Sequence, residues 1–151
     1  MSQFLGTHQN RLDAKGRVSV PASFRAALKA LDGTAVLVLR PSHNHACIEA
    51  WPEPVFQTLE KPLAELPEFS DDHIDMAATL YADACRLEAD RDGRIMLPSE
   101  LIGHAGLADA VVFMGLGRMF QIWEPAAANA FRDAARERAR VRKAALAGVA
   151  A

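Results

Sequence analysis

Apolar and polar residues alternate in short blocks along the chain, and these blocks predict both strands and helices. Apolar spacing typical of helices follows Pro21 and Pro98, and each proline suits the first position of a helix. Gly33 and Gly106 are expected to end these two helices. Strands mixed with short helices predict an α+β fold. The four longer predicted strands are Ala35–Leu39, Ala46–Trp51, Ala110–Met114 and Arg118–Trp123.

One pattern occurs twice, 77 positions apart. Residues 12–24 and 89–101 both fit Asp-x-x-Gly-Arg-apolar-x-apolar-Pro-x-x-apolar, with four identities and three apolar matches. Such self-similarity indicates an internal duplication. Each Asp-x-x-Gly segment predicts a hairpin, because glycine adopts positive φ at no steric cost. We therefore expect two copies of one unit, each a hairpin, a short helix and a second hairpin, which interlock into one barrel-like core.

The segments outside the two copies have helical patterns. Pro54–Leu66 carries apolar residues at helical spacing, and Ser70 is a suitable N-cap for a helix through Ala84. Pro125–Leu146 is rich in alanine and arginine and predicts a helix that frays near Gly148. The predicted organisation is a first module (1–52), a helical connector (53–80), a second module (81–124) and a C-terminal helix with a tail (125–151).

The formal net charge of −2 conceals a strong segregation of charge. Residues 1–40 carry a net charge of +4, residues 41–90 carry −9 and residues 91–151 carry +3. The net charge of the whole chain argues against nonspecific coating of nucleic acid. A local basic patch in the N-terminal segment is compatible with this net charge, because screening confines the effect of each charge to about 8–10 Å. A merely solvated charged face is the alternative at this point.

The chain has none of the sequence features of a membrane or secreted protein. No apolar run of 18 or more residues is present, which excludes a transmembrane helix. The first ten residues have neither the basic nor the apolar stretch of a signal peptide. Cys47 and Cys85 are too few for a disulfide framework and are expected to be reduced thiols. We therefore expect a cytoplasmic protein without membrane contact.

The duplicated motif and its surroundings resemble the MraZ family of bacterial transcriptional regulators, over roughly residues 1–135. The resemblance implies two AbrB-like swapped-hairpin modules that form a pseudo-symmetric β-barrel with added helices. It also implies ring-shaped homo-oligomers, located at the nucleoid, that bind short G-rich direct repeats of double-stranded DNA in their own promoter region. A repressor of the division and cell-wall gene cluster is the expected function. The matching segments include Phe4–Gly6, Leu12–Arg17, Val20–Arg25, Asp90–Arg94, Leu97–Pro98, Ala105–Leu107 and Phe120–Trp123.

Basic residues of the two copies are the candidates for DNA contact. Lysine and arginine bind phosphates by charge, and sequence is read mainly at the O6/N7 edge of guanine. By resemblance to AbrB-like folds, Arg17 and Arg25 are the main candidates among them. Lys15 is expected to contact phosphate, because its counterpart is Asp92 and no structural need common to both copies explains a lysine there. The candidate DNA-binding residues are Arg11, Lys15, Arg17, Arg25 and Arg94.

A structural role is the alternative for the arginines of the motif. Asp13 and Arg17 are four residues apart across a turn and could form an ion pair, as could Asp90 and Arg94. Because the pair recurs in both copies, this role and DNA contact both remain open. The structural residues of the motif are expected to be Asp13, Gly16, Asp90 and Gly93.

Other classes of function have weaker support in the sequence. His43, His45 and Cys47 alternate as residues on one face of a strand would, but a fourth zinc ligand is not evident. The acidic run around His73 is better explained by a helix N-terminus than by acid–base catalysis. We expect no enzyme, metal, cofactor or small-molecule substrate. An antitoxin-like AbrB protein that binds a partner protein is the remaining alternative, although two copies and helical insertions argue against it.

Overall fold

The computed structural model describes residues 3–150, apart from the side chains of Asp32, Val149 and Ala150. These residues form eight strands and six α-helices. The strands are β1 (Thr7–Arg11), β2 (Arg17–Ser19), β3 (Val36–Pro41), β4 (Ile48–Pro52), β5 (Cys85–Glu88), β6 (Arg94–Met96), β7 (Ala110–Gly115) and β8 (Phe120–Trp123). The helices are α1 (Ala22–Asp32), α2 (Glu53–Gln57), α3 (Glu60–Ala64), α4 (Asp71–Ala77), α5 (Ser99–Ala105) and α6 (Pro125–Ala150). A π-helical turn (Ala78–Ala82) continues α4. The predicted α+β class is confirmed.

Six of the strands form one antiparallel sheet in the order β1-β7-β8-β4-β3-β5, and β2 and β6 pair as a separate ribbon. The predicted hairpins β3–β4 and β7–β8 are confirmed, and they lie side by side because β4 pairs with β8. The sheet has two free edges, β1 and β5. The described strands therefore form an open sheet and a ribbon, and no closed barrel is detected among them.

The predicted first hairpin of each copy is wrong, because the two strands beside each turn pair with other strands. The turns form, with Gly16 and Gly93 at φ +85° and +78°, but the strands that flank them do not pair with each other. Instead β1 pairs with β7, β2 with β6 and β5 with β3. A turn sequence specifies a local reversal, whereas the burial of apolar side chains decides which strands pair. Val18 of β2 lies opposite Ile95 of β6, and both are buried.

This exchange of strands gives the two halves of the chain a common hydrophobic core. Phe24 of α1 packs against Phe4, before β1, and against Phe120 of β8, with ring centroids 5.3 and 4.9 Å apart. Phe113 of β7 completes the aromatic cluster, and all four rings are at most 1% exposed. The ring pairs have edge-to-face or tilted geometries, which aromatic side chains prefer. Each half therefore contributes rings to a core that it shares with the other.

The helices that follow the two motif copies begin one residue later than predicted. Pro21 and Pro98 are the N-caps of α1 and α5 and not their first residues, because ψ values of 141° and 144° keep both prolines extended. The predicted ends are confirmed: Gly33 and Gly106 cap the helices in the left-handed conformation.

The connector is more broken than its pattern predicts. Pro54–Leu66 forms two short helices, α2 and α3, because Pro62 has no N–H to bond the carbonyl of Thr58. Ser70 is confirmed as an N-cap, since its Oγ accepts the N–H of His73 at 3.2 Å. The acidic residues after Ser70 form the first turn of α4, where they complement the helix dipole. Regular α-helix ends at Ala77, earlier than predicted.

The C-terminal helix is longer than predicted, since α6 continues past Gly148 to Ala150. One glycine costs about 1 kcal/mol in a helix, which neighbouring alanines and arginines offset by their high helix propensity. No helix among the described residues combines the length and the apolar character needed to cross a membrane.

Replacing Phe24 with alanine tests how far the core depends on this ring. Phe24 is buried among three other rings, so Phe24→Ala is expected to lower the free energy of unfolding by about 3–5 kcal/mol. Leu5→Ala, at a side chain that is 67% exposed, is the control and should change it by less than about 0.5 kcal/mol. Urea unfolding at one protein concentration measures both. Similar small losses in the two variants would contradict this description of the core.

Candidate nucleic-acid interface

Asp13 organises the first Asp-x-x-Gly-Arg turn. Its Oδ1 atom accepts the backbone N–H groups of Lys15 and Arg17, each at 2.9 Å. Its Oδ2 atom accepts the Nε–H of Arg17 at 2.8 Å, so the ion pair expected from the spacing is present. One carboxylate therefore fixes both the backbone of the turn and the direction of the Arg17 side chain.

The second turn repeats the backbone bonds but holds its arginine differently. Asp90 Oδ1 accepts the N–H groups of Asp92 and Arg94, each at 2.9 Å. Nε of Arg94 lies 3.4 Å from Asp90 Oδ2, is buried and has no hydrogen-bond partner. Nη2 of Arg94 instead donates to Asp92 Oδ2 at 3.3 Å. Two carboxylates thus share Arg94 at longer distances, whereas one binds Arg17 closely.

Hydrogen bonds keep both turn aspartates ionised. The backbone N–H of Arg17 has the largest effect and lowers the pKa of Asp13, and the Arg17 side chain and the N–H of Lys15 lower it further. The backbone N–H of Arg94 likewise lowers the pKa of Asp90. Donors that bind the charged form of a carboxyl stabilise that form. Both turns therefore carry a negative charge beside each arginine at neutral pH.

The positive φ of both turns favours glycine, and a Cβ at either position would also crowd a neighbour. Besides its positive φ, a Cβ on Gly16 would lie 3.0 Å from the carbonyl oxygen of Leu97. A Cβ on Gly93 would lie 2.5 Å from Cδ of Arg25, so this flexible side chain would have to move. The carbonyls of the two glycines accept the N–H groups of Leu97 and Val20, at 2.8 and 2.9 Å. These bonds extend the β2–β6 ribbon at both ends.

The ribbon turns one face inward and one outward. Side chains alternate along a strand, and Val18 and Ile95 occupy the buried face. Cross-strand register puts the two arginines of the outer face at diagonal corners, with their side chains 37% and 38% exposed. Met96, which is 57% exposed, lies between the turns on the same face. We call this outer face the ribbon face; it consists of Arg17, Ser19, Arg94 and Met96.

Lys15 and Arg11 are exposed near the first turn. Lys15 lies at the tip of the turn and borders a surface groove with Met96. Arg11 is the last residue of β1. Its neighbour Asn10 donates from Nδ2 to the carbonyl of Ser19 at 2.6 Å, which joins the end of β1 to the ribbon. Arg11 and Lys15 therefore lie on either side of Asp13 along the chain, and both are exposed.

Arg25 lies at the second turn, although it belongs to the first copy. Its half-buried side chain donates from Nε to the carbonyl of Val20 at 3.1 Å and lies across Gly93. The predicted residues thus form two groups: Arg11, Lys15 and Arg17 at the first turn, and Arg25 and Arg94 at the second. The exchange of strands brings the two groups to opposite ends of one short ribbon.

Sequence reasoning missed Arg91, an exposed residue of the second turn. When the two copies are aligned position by position, Lys15 is paired with Asp92. Arg91 is then paired with Ala14, so a comparison of matched positions does not reveal it as a cation of the turn. The first turn carries one carboxylate and two cations, whereas the second carries two of each. A search for any cation within the turn would have found Arg91.

The structure separates the residues of the zinc-site alternative. Residues 42–47 form a loop that leads into β4, so a loop entering a strand explains these residues better than a zinc site does. His43 and His45 are exposed, whereas Cys47 is buried, and burial raises the pKa of its thiol to about 12. The thiolate is the form that binds metals, and burial disfavours it. No group of three potential metal ligands occurs among the described residues.

The lowered pKa values of the turn aspartates predict acid sensitivity. A carboxyl whose pKa is lower in the folded state stabilises the fold fully above its ordinary pKa of about 3.9, and this contribution disappears as the pH falls through the folded value. The free energy of unfolding of the wild type is therefore expected to fall more steeply below about pH 4 than that of Asp13→Asn. Urea titrations at several pH values measure this. The same steepness in both proteins would contradict the assigned role of Asp13, and Asp90→Asn provides an independent repeat.

Comparison with known proteins assigns the chain to a family. The family model described as "MraZ protein, putative antitoxin-like" matches residues 3–77 and 80–147. Each matched segment contains one Asp-x-x-Gly-Arg turn.

Curated relatives are similar over nearly the full chain. The Transcriptional regulator MraZ of Gluconacetobacter diazotrophicus is 63% identical over 142 residues, which cover 93% of this chain and 90% of the relative. The proteins of the same name from Gluconobacter oxydans and Azorhizobium caulinodans are 62% and 41% identical; each match covers 93% of this chain, with 87% and 88% of the relatives. The chain therefore belongs to the MraZ family, whose named relatives are transcriptional regulators and not enzymes.

Proposed function

We propose that this protein is a sequence-specific DNA-binding regulator that represses the division and cell-wall gene cluster. It binds short, G-rich direct repeats in its own promoter region as a ring-shaped homo-oligomer, and it acts in the cytoplasm, at the nucleoid. Membership of the MraZ family supports the regulatory role. The observation that carries the DNA contact is the ribbon face, on which two arginines held by carboxylates point outward from one short ribbon.

The ribbon face suits the major groove of DNA. This groove is about 12 Å wide and admits a two-stranded β-ribbon. Asp13 uses the Nε–H of Arg17, which leaves the terminal nitrogens of the guanidinium for a phosphate or for the O6/N7 edge of guanine. Because the carboxylate already restricts the side chain, less conformational entropy is lost on binding. The structural and DNA-binding roles of Arg17 are therefore compatible.

The two turns contribute unequally in this proposal. Lys15 and Arg11 contact phosphates beside the first turn, where cations outnumber the carboxylate. At the second turn Asp92 binds Arg94 and repels phosphate, so Arg94 contributes less than Arg17. Arg25 adds a contact at this end.

A single chain makes too few contacts for tight binding. Each neutralised phosphate changes the logarithm of affinity by a slope of about −0.9 against the logarithm of salt, so two to four contacts give weak, salt-sensitive binding. A ring supplies several ribbon faces at high effective concentration to tandem repeats. In each chain, residues 1–52 and 81–124 act as two AbrB-like modules of one swapped-hairpin unit, and residues 53–80 and 125–151 are additions to it.

An antitoxin-like protein that binds a partner protein is the second candidate function. The words "antitoxin-like" in the family description favour it. The two functions differ in one requirement, because only the first gives the purified protein alone an affinity for promoter DNA.

Removing Lys15 is expected to weaken DNA binding without harm to the fold. Lys15 is exposed, so Lys15→Ala should lower affinity for upstream DNA several-fold and make the salt slope less negative by about 0.9. Lys61→Ala, an exposed lysine of the acidic connector, is the matched control and should change neither quantity. Fluorescence anisotropy at a series of salt concentrations measures both. If Lys15→Ala kept the affinity and the salt slope of the wild type, the first turn would not be part of the DNA interface.

Arg17→Ala is expected to lower affinity more than Lys15→Ala, because it removes a contact to a base or phosphate and also the partner of Asp13. Arg17→Lys separates the two effects. Lysine keeps the charge but lacks the planar guanidinium, so it should restore part of the nonspecific affinity and little of the discrimination between sites. Thermal unfolding of both variants reports the structural role. Full sequence discrimination by Arg17→Lys would contradict direct readout by Arg17.

Binding is expected to depend on the number of repeats. DNA with two properly spaced repeats should bind at least about tenfold more tightly than DNA with one, because the second contact is intramolecular. Titration of matched duplexes that differ only in a scrambled second repeat measures this ratio. Equal affinities would contradict the proposed use of a ring.

A further inference from the structure

The C-terminal part of α6 is an exposed, basic segment. Phe131 stacks on Trp123 with a centroid distance of 4.8 Å and anchors the start of the helix. From residue 136 to residue 148 every side chain is exposed, and we call this segment the arm. It contains five cations and one acid, and thirteen helical residues span about 20 Å.

One side of the arm combines cations with apolar groups. Its stripe follows the i, i+3, i+4, i+7, i+8 spacing of a helix face that packs on a partner. Val141 is 53% exposed and Leu146 is 69% exposed. The ion pairs described for the arm, which involve Arg136 and Arg140, use the other side and stay within the helix. On the stripe side, the guanidinium of Arg138 lies over the ring of Phe131 in the same helix, 5.8 Å from its centroid. The arm stripe consists of Arg138, Val141, Arg142, Ala145 and Leu146.

The connector carries a face of the opposite charge. Helix α4 buries none of its residues, and Ile74 is 51% exposed. Just before it, Phe69 is 77% exposed and has a φ of 64°, a strained conformation for a bulky residue. Residues 65–75 contain five acids and neither lysine nor arginine. We call the set of Phe69, Asp71, Ile74 and Asp75 the connector face.

We propose that the arm of one chain docks on the connector face of a second copy of this chain. Asp71, Ile74 and Asp75 form a stripe with the order acid, apolar, acid. Arg138, Val141 and Arg142 form a stripe with the order base, apolar, base, at the same i, i+3, i+4 spacing. The two helices are thus complementary in charge and both offer apolar groups, as in recognition of an amphipathic helix by a groove.

A second copy of the chain would cover both the arm and the connector face, whereas DNA would cover only the arm. Phosphates would satisfy the cations of the arm, but they would leave Val141 and Leu146 in water. They would also leave the acidic, apolar connector face without a partner, since DNA repels it. Burial of apolar groups beside opposite charges stabilises helix pairing on both sides at once.

The docking surfaces are different parts of each chain, so the contact is head-to-tail. A heterologous contact of this kind generates a closed ring when its rotation closes. The docking proposal therefore specifies the contact between neighbouring subunits of the proposed ring, and it rests on that part of the proposed function. Assembly can be measured without DNA, and DNA binding through Lys15 is judged separately.

The decisive experiment reverses the charges of each face and then mixes the two variants. Arg138→Glu/Arg142→Glu and Asp71→Lys/Asp75→Lys should each raise the dissociation constant of the assembly at least about tenfold, measured by sedimentation velocity. Mixed in equal amounts, they should assemble again, because the reversed arm meets the reversed connector face and the unchanged arm meets the unchanged connector face. Arg136→Glu/Arg140→Glu makes the same change of net charge on the opposite side of the arm and should leave assembly unchanged. Circular dichroism of every variant monitors the helices.

Phe69→Gly provides a test that does not depend on charge. Glycine accepts the positive φ without strain, so thermal stability should be retained or increased while the assembly weakens. A monomeric wild type, unchanged assembly in the face variants, or no recovery on mixing would overturn the docking proposal. Loss of DNA affinity with intact assembly in Arg138→Glu/Arg142→Glu would also overturn it and would identify the arm as a DNA contact, while the proposed function would stand.

Discussion

The pairing of β2 with β6 is the interaction on which the rest of this structure depends. Each strand has only three residues, and a ladder so short has little stability of its own. It persists because Val18 and Ile95 bury their side chains together and because the carbonyls of Gly16 and Gly93 accept one further bond at each end. These contacts all join the first half of the chain to the second. The ribbon is therefore the product of the complete chain.

The charged groups of the two turns stabilise the turns themselves. Each aspartate uses one oxygen to organise the backbone and offers the other to an arginine four residues later. This arrangement neutralises part of the positive charge that DNA would attract. It also restricts the arginine side chain, and a restricted arginine is better suited to the bidentate recognition proposed above. The difference between Lys15 and Asp92 then makes one turn more attractive to phosphate than the other.

The nearly neutral chain is built from regions of opposite charge that have separate uses. Cations gather around the ribbon and along α6, whereas acids gather in the connector. In the proposed assembly the connector meets the arm, which leaves the ribbon face open to DNA. In this proposal, the segregation of charge lets one small protein bind DNA and copies of itself without competition between the two surfaces.

Much of the local structure follows from the sequence alone. The two turns, the left-handed glycine ends of α1 and α5, the Ser70 N-cap and the ion pair between Asp13 and Arg17 all involve groups within four residues of each other. Their hydrogen bonds depend on neighbours in the chain, so a short segment predicts them. The hairpins β3–β4 and β7–β8 were also predictable, because only a short loop joins the two strands of each.

Only the tertiary structure decided which strands pair and which cations meet. The turn at Gly16 indicates a reversal, but β1 and β2 find their partners 75 or more residues away, where burial in the common core is greatest. Arg25 lies against Gly93 for the same reason, and no spacing in the sequence indicates that contact. Burial is a sum over the whole core and not a property of any one segment. The sequence by itself therefore determined the parts of the candidate interface, and the packing of the two halves determined how they are combined.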